Sequence, residues 1–415
     1  MQIFEGRLQE VMENENKIGP WQCGFRKGFR IEDNLFVLTQ VKEMATKLGK
    51  NLIGGFIDIK KAYDMVDREK LFDIMLSEGI QDAWVELLKD VDTDNEIFIR
   101  IGKQESDKFR IDRGLRQGCP ASPACFLMYY ERVARKVWES EKGFAIEYIE
   151  RTTGQIARMR IPFLLFADDM LILAGSNREL EEMMRLCEGE TKMLGLRFNA
   201  KKSAIMVMNG NEERDIDIEF DGERVEYTEK YKYLGVTIMD NQHEFLEEER
   251  VIRKRKADRG ASIAKSSSLW SFNRFIVTRD LRKALFATAL SYGNAVLVFG
   301  QVFENMLEAR QRMVGRYAMG CRYTCANEFV VGECGMSSFK EREAVSKIKC
   351  WAAKVQEVKR GMKIKTKWDW RVDFMLRIAG WAYVEWDEEN ISNKKNRVKQ
   401  QVSDRVTKIW RGYDG

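Results

Sequence analysis

Three aspartates define the chemistry open to this chain. Asp168 and Asp169 stand side by side in IPFLLFADDMLILAG, residues 161–175, between two apolar runs that are each the length of a strand. The stretch therefore reads as a β-hairpin with the Asp-Asp pair as its tip. Asp58 lies 110 positions earlier, where the apolar run LIGGFI gives way to IKKAYDMVDR. An ionised carboxylate at the end of a buried strand is costly unless it is solvated, paired or bound to a metal. If the two segments are neighbouring strands, the three acids converge. Two divalent ions about 3.5–4 Å apart need such a cluster to hold both ends of an in-line phosphoryl displacement. Mg²⁺ takes oxygen ligands and keeps waters, so two or three carboxylates are enough, with substrate phosphates completing its shell.

The flanking sequence supplies the elements that must position these acids. DREKLFDIMLSEG predicts a helix with Asp67 as its N-cap and Gly79 as its stop, bracing the first strand. SNRELEEMMRLCEGETKMLG carries a capping box, Ser176 to Glu179, and a stop at Gly195. Leu180, Met183, Met184, Cys187, Thr191 and Leu194 recur at helical spacing, so the two methionines are core. In RGLRQGCPASP (113–123), Gly114 and Gly118 permit close backbone approach to a ligand, and Arg113 and Arg116 bring positive charge. Pro120 and Pro123 bracket a short turn before ACFLMYYERVARKVW, which reads as a helix under the sheet.

In chain order, these segments resemble the conserved blocks of a reverse transcriptase of the non-LTR, LINE-like retrotransposon kind. QCGFRKGFRIEDNLFVL (22–38) resembles a fingers block, GFIDIKKAYDMVDR (55–68) the first palm motif and RGLRQGCPASP the second. FADD (166–169) resembles the catalytic motif, GLRFNAKKSAIM (195–206) the lysine-bearing fourth motif, and YKYLGV (231–236) the primer-grip block. The resemblance implies an α+β right-hand polymerase fold with an antiparallel palm sheet packed on helices. It implies an RNA-directed DNA polymerase that extends a primer 3′-hydroxyl with dNTPs. Asp58 and Asp168 would hold two Mg²⁺ ions, with Mn²⁺ able to substitute, the Ile59 carbonyl would be a further ligand, and Asp169 would shape the local field. Tyr63 would exclude a 2′-hydroxyl, and Lys202 would protonate the departing pyrophosphate, with its neighbour Lys201 as the alternative. Arg113, Arg116, Gln117 and Gly118 would line the nucleotide or template site, and Tyr233, Leu234 and Gly235 would grip the primer. The implied partners are an RNA template, a DNA primer and their duplex.

The resemblance and the composition together predict four parts: partial fingers (1–50), a palm with primer grip (51–240), a helical thumb (241–340) and a Trp-rich helical extension (341–415). Against the family pattern, the fingers read as truncated, no endonuclease domain is expected, Tyr63 replaces a common phenylalanine and Ala121 a larger apolar residue. The net charge of +5 is modest, but RKRK (253–256), KIKTK (363–367) and KKNRVK (394–399) form separate basic patches that a polyanion could track. Trp351, Trp368, Trp370, Trp381, Trp386 and Trp410 fit a core or a protein contact as well as a base platform. The single histidine, His243, excludes a Ser-His or Cys-His triad and multi-histidine metal sites. The eight cysteines have no zinc-ligand spacing, and free thiols in a reducing compartment are the default. With no signal peptide and no apolar run of membrane-spanning length, an intracellular, nuclear or cytoplasmic protein is expected. The competing expectation is a domesticated fold kept as an RNA-binding or assembly scaffold. Its weakness is that clustered carboxylates without metal repel one another.

Overall fold

The computed structural model describes residues 1–92, 96–111, 113–149, 155–210, 217–240, 242–266, 273–350, 369 and 372. The tryptophans from 351 onward and the basic runs 363–367 and 394–399 lie outside these residues. The chain divides into two compact units, one of Met1–Ile146 and Arg158–Leu234, the other of Glu147–Ala157 and Gly235–Gly415. Helix and sheet are mixed. Among the described residues no helix is long and apolar enough to cross a membrane.

The first unit is built on a five-stranded sheet, in spatial order Glu226–Tyr227, Ala204–Asn209, Leu52–Ile57, Asp169–Ala174, Phe163–Phe166. The LIGGFI run is its central strand and is buried throughout, paired antiparallel on both sides. Its two glycines are there for packing. A Cβ on Gly55 would lie 2.8 Å from the Met184 sulfur, and one on Gly54 would lie 2.5 Å from the Met208 methyl. The Asn177–Met193 helix can thus press its Leu180, Met183, Met184, Cys187 and Thr191 stripe onto the sheet, all buried as the spacing predicts.

The capping box forms only in half. Ser176 accepts from the Glu179 N–H, but the Glu179 carboxylate turns away to accept from the N–H groups of Gly143 and Gly175. Two loop amides with no ladder partner outcompete the reciprocal bond. Asp67 caps the Arg68–Ser77 helix as expected, accepting from Lys70 N–H at 3.3 Å. Pro123 is not part of a turn; it lies in the first turn of the Ser122–Glu139 helix, where its missing N–H costs nothing.

An N-terminal helix, Gln2–Asn14, leads into a strap that lies against the hairpin. Glu131, buried in the Ser122–Glu139 helix, accepts from Gly19 N–H at 3.0 Å and from Trp21 Nε1–H at 3.2 Å. Burial pushes its carboxyl up to about 7, against the pull of those donors and of Arg135 and Arg26. The folded state therefore keeps a proton that the unfolded chain releases at ordinary carboxylate pH. Stability from this group is present in acid and is lost as pH rises through about 7, by on the order of 2–3 kcal/mol. Glu131→Gln should flatten that decline in denaturant titrations between pH 5 and 8; an unchanged slope would show that Glu131 is not its source.

The second unit is helical over most of its described length, with Gln242–Ser266 packed along Gln301–Met319 and shorter helices at Arg274–Leu281 and Thr288–Ser291. Arg253 does not belong to an exposed basic patch. It is 2% exposed, paired with Glu249 at 3.5 Å, and donates to the carbonyls of Leu290 (2.6 Å) and Tyr292. Its guanidinium also sits 4.8 Å from the Phe299 ring centroid. Of the RKRK run, only Lys254, Arg255 and Lys256 face solvent. On a helix, four consecutive residues cannot share one face, so one of them must point inward.

Candidate active site

Strand register brings the acids together. Ile57 pairs with Met170, and one further step along that register sets Asp58 opposite Asp169. The hairpin turn is shifted by one residue relative to the expected Asp-Asp tip. Phe166 pairs with Asp169, so the two turn residues are Ala167 and Asp168, and Asp169 opens the return strand. Such a tight turn needs positive φ, and Ala167 supplies it at 57°, a left-handed conformation costing a non-glycine residue about 1–2 kcal/mol.

The electrostatics match this crowding. Burial raises the Asp168 carboxyl above its ordinary range, with a backbone hydrogen bond opposing and Asp58 adding to the rise. Asp169 is exposed at its surface, yet enough protein surrounds its carboxyl to push it up to about 6, through burial first, then Asp168 and Asp58. Repulsion of this kind is relieved by a cation. Among the described residues no three His, Cys, Asp or Glu side chains gather closely enough to enclose an ion.

The fourth-motif segment folds against Asp58. Asn199 N–H donates to the Asp58 carbonyl at 2.8 Å, and the Asp58 N–H donates to Ser203 Oγ at 3.1 Å. Ile59 bridges to Phe198 at a position where its own N–H and carbonyl stay out of that pairing. The Ile59 carbonyl, rather than that of Asp58, is thus the backbone oxygen not committed there. A recess of about 440 Å³ is lined by Asp58, Ile59, Lys61, Arg197, Asn199 and Lys202. Lys201 instead pairs with Glu223 at 3.4 Å, which separates the two adjacent lysines.

A second cleft, of about 450 Å³, is lined by Asp168, Tyr63, Arg116, Gln117, Gly118 and Phe25, among others. Tyr63 stacks on Phe126 at 4.8 Å between centroids, which fixes its ring. Its buried hydroxyl has no hydrogen-bond partner among the described residues, and burial, then Asp168, push its ionisation far up. Gln117 donates to Asp64 at 3.2 Å, and Gly118, at φ 90°, has open space where a Cβ would be. Arg116 lines the cleft while donating to the Val91 carbonyl. Arg113 does not line it; its guanidinium lies 3.8 Å from Asp67 and packs beside Gly195. The positive charge of that motif is split, one arginine at the cleft and one bracing a helix cap.

A model of the reverse transcriptase (RNA-dependent DNA polymerase) family matches residues 2–238. The chain belongs to that family. Its relatives place it on the non-LTR branch. It is 26% identical over 201 residues to the "Transposon TX1 uncharacterized 149 kDa protein" of Xenopus laevis, covering 48% of this chain and 14% of that protein. It is 24% identical over 215 residues to the "Retrovirus-related Pol polyprotein from type-1 retrotransposable element R2" of Nasonia vitripennis, covering 49% of this chain and 20% of that protein. The chain therefore spans only a minor part of these relatives. A solved apo telomerase from Candida tropicalis aligns at 12% identity and a TM-score of 0.40, covering 98% of this chain and 57% of that one.

The three expected primer-grip residues have different settings. Tyr233 is buried, its ring tilted against Phe56 at 5.8 Å, and its hydroxyl is core. Leu234 and Gly235 form a turn, with φ 45° and 79°. Tyr231 is stacked on Phe56 at 4.1 Å and donates to the Lys202 carbonyl at 2.9 Å. Burial, then Asp58 and Asp169, push its hydroxyl up to about 12. The signal was present in the sequence: Tyr231 and Tyr233 are two apart and share one face of a strand. Gln22, buried behind the hairpin, was also missed; a lone glutamine in a loop carries no periodicity to mark it.

Proposed function

We propose that this chain extends a DNA primer on an RNA template, taking dNTPs and releasing pyrophosphate. The observation that carries the reading is the strand register that ends with Ile57 opposite Met170, which brings Asp58 to the end of the hairpin that carries Asp168 and Asp169, with Asp168 lining a cleft of about 450 Å³. Asp58, Asp168 and the Ile59 carbonyl would hold divalent ions, Mg²⁺ or Mn²⁺, with Asp169 tuning their field. Bound there, such ions lower the pKa of a primer 3′-hydroxyl and offset charge on the phosphates.

The rest falls to the chain's own side chains. The primer 3′-hydroxyl gives its proton to water, its O3′ forms the new bond to the α-phosphorus, and the bond from that phosphorus to the oxygen bridging to the β-phosphate breaks. Lys202, in the recess with Asp58, gives a proton to the departing pyrophosphate. Gln117, Arg116 and the open backbone at Gly118 receive the nucleotide or template. Residues 51–240 serve as palm, 1–50 as partial fingers and 241–340 as thumb. Lys254, Arg255 and Lys256 would contact duplex phosphates.

Tyr63, held flat by Phe126, is the gate against ribonucleotides. Wild-type protein given an RNA template and DNA primer should add dNTP and reject rNTP. Tyr63→Ala should lower that discrimination by roughly 100-fold, since steric exclusion is then lost. Extension with unaltered sugar selectivity would remove the gate while leaving the polymerase; no extension on RNA would count against the polymerase itself.

A further inference from the structure

We infer that Gln22 is a positioning residue that locks the Ala167–Asp168 turn, and so sets the aim of the acidic centre. The inference rests on the polymerase reading of that centre, but its geometry stands independently. Gln22 is 2% exposed, and its side chain holds both backbone polar groups of a single residue, Ala167. Its Oε1 accepts from Ala167 N–H at 2.8 Å, and its Nε2 donates to the Ala167 carbonyl at 3.1 Å. The same Oε1 accepts from Gly24 N–H at 2.8 Å, so the amide's orientation is fixed by its partners. Reversed, it would set donors against donors.

The grip acts where the backbone needs holding. Ala167 has φ 57°, which an alanine does not keep unaided, and it is the residue immediately before Asp168. Cys23 N–H donates to the Leu165 carbonyl at 2.9 Å, extending the attachment along the hairpin. Gly24 lies so close that a Cβ there would be 2.3 Å from the Ala167 nitrogen. Behind it, Arg26 donates to the carbonyls of Gly19 (2.7 Å) and Gln22 (3.1 Å) and forms a two-pronged pair with Glu13. Glu13 belongs to the Gln2–Asn14 helix, so the clamp is anchored to regular structure.

Three variants test this: Gln22→Ala, Gln22→Glu, and Gln22→Ala combined with Ala167→Gly. The first readout is hydrogen exchange at the Ala167 amide, which needs no activity. It should be slow in wild type and at least about 10-fold faster in Gln22→Ala, because its acceptor is gone. The second is single-nucleotide addition, where Gln22→Ala should lower kcat by about 10–100-fold with KM for dNTP nearly unchanged, as for a misaimed group that does not touch substrate. Glycine takes positive φ without cost, so Ala167→Gly should recover part of the lost kcat. Gln22→Glu keeps the acceptor but loses the donor; it should fall between wild type and Gln22→Ala, and serves if the alanine variant does not fold. Unchanged exchange in a folded Gln22→Ala protein overturns the clamp. A loss confined to KM, or one that glycine does not recover, overturns its positioning role. If wild type fails to extend any primer, the polymerase reading falls, while the exchange result still decides whether the clamp exists.

Discussion

Asp168→Asn protein is expected to add nucleotides at least about 10³-fold more slowly than wild type, a loss of roughly 4 kcal/mol of transition-state stabilisation. Asp58→Asn should fall by a similar factor, because the two residues come from adjoining strands to serve one centre. Asp169→Asn should lose less, since the role proposed for its carboxyl is to tune the site's field and not to hold an ion. The Asp168→Asn and Asp58→Asn losses should appear in single-turnover rates with primer–template binding preserved. Neither should be a folding defect. The acids repel one another, so removing one charge should leave the metal-free protein at least as resistant to denaturant at pH 7. Equal rates for wild type and Asp168→Asn would remove the acidic centre from the chemistry. A rate loss matched by a stability loss would make Asp168 structural.

Arg253→Ala should destabilise the second unit by about 3–5 kcal/mol, because it removes the counter-charge of buried Glu249 and the donor to the carbonyls of Leu290 and Tyr292. Converting Lys254, Arg255 and Lys256 to glutamine should barely alter stability, within about 0.5 kcal/mol for each surface site. It should instead weaken binding to unrelated duplexes alike and reduce the slope of log affinity against log salt by about 2–3. Neutralising all of 253–256 would mix the two effects, since the run spans a core residue and three surface ones. If Arg253→Ala left the unfolding transition in place, the buried network would not hold this unit together. If the triple variant kept the wild-type salt slope, the helix would not face nucleic acid.

Much of the site was legible because its chemistry sits at element ends. Asp58 and the Asp168–Asp169 pair each mark the place where an apolar run stops, and the register that joins them follows from two buried strands lying side by side. The stripe from Leu180 to Thr191 was equally plain, since helical spacing of apolar residues has one reading. What stayed hidden depended on a single turn or on partners distant in sequence. The shift from an Asp-Asp to an Ala-Asp turn is a one-residue choice of register. Gln22 opens the block that resembles a fingers motif, but it acts across 145 positions on Ala167, and nothing local announces that partner. Arg113 and Arg253 look like their neighbours Arg116 and Lys254, and only burial and partners tell a brace from a surface cation. Tyr231 and Tyr233 share a face, but which of them lies nearer the acids depends on where Phe56 ends.

The most direct test of the central claim is single-nucleotide addition to a DNA primer annealed to an RNA template, with pyrophosphate measured alongside as Mg²⁺ is titrated from chelated to millimolar. The expected result is one pyrophosphate released per primer extended, rising with Mg²⁺ from no activity under chelation and absent throughout in Asp168→Asn. Extension that persists under chelation, or that survives in Asp168→Asn, would contradict it, as would duplex binding without any extension at every metal concentration.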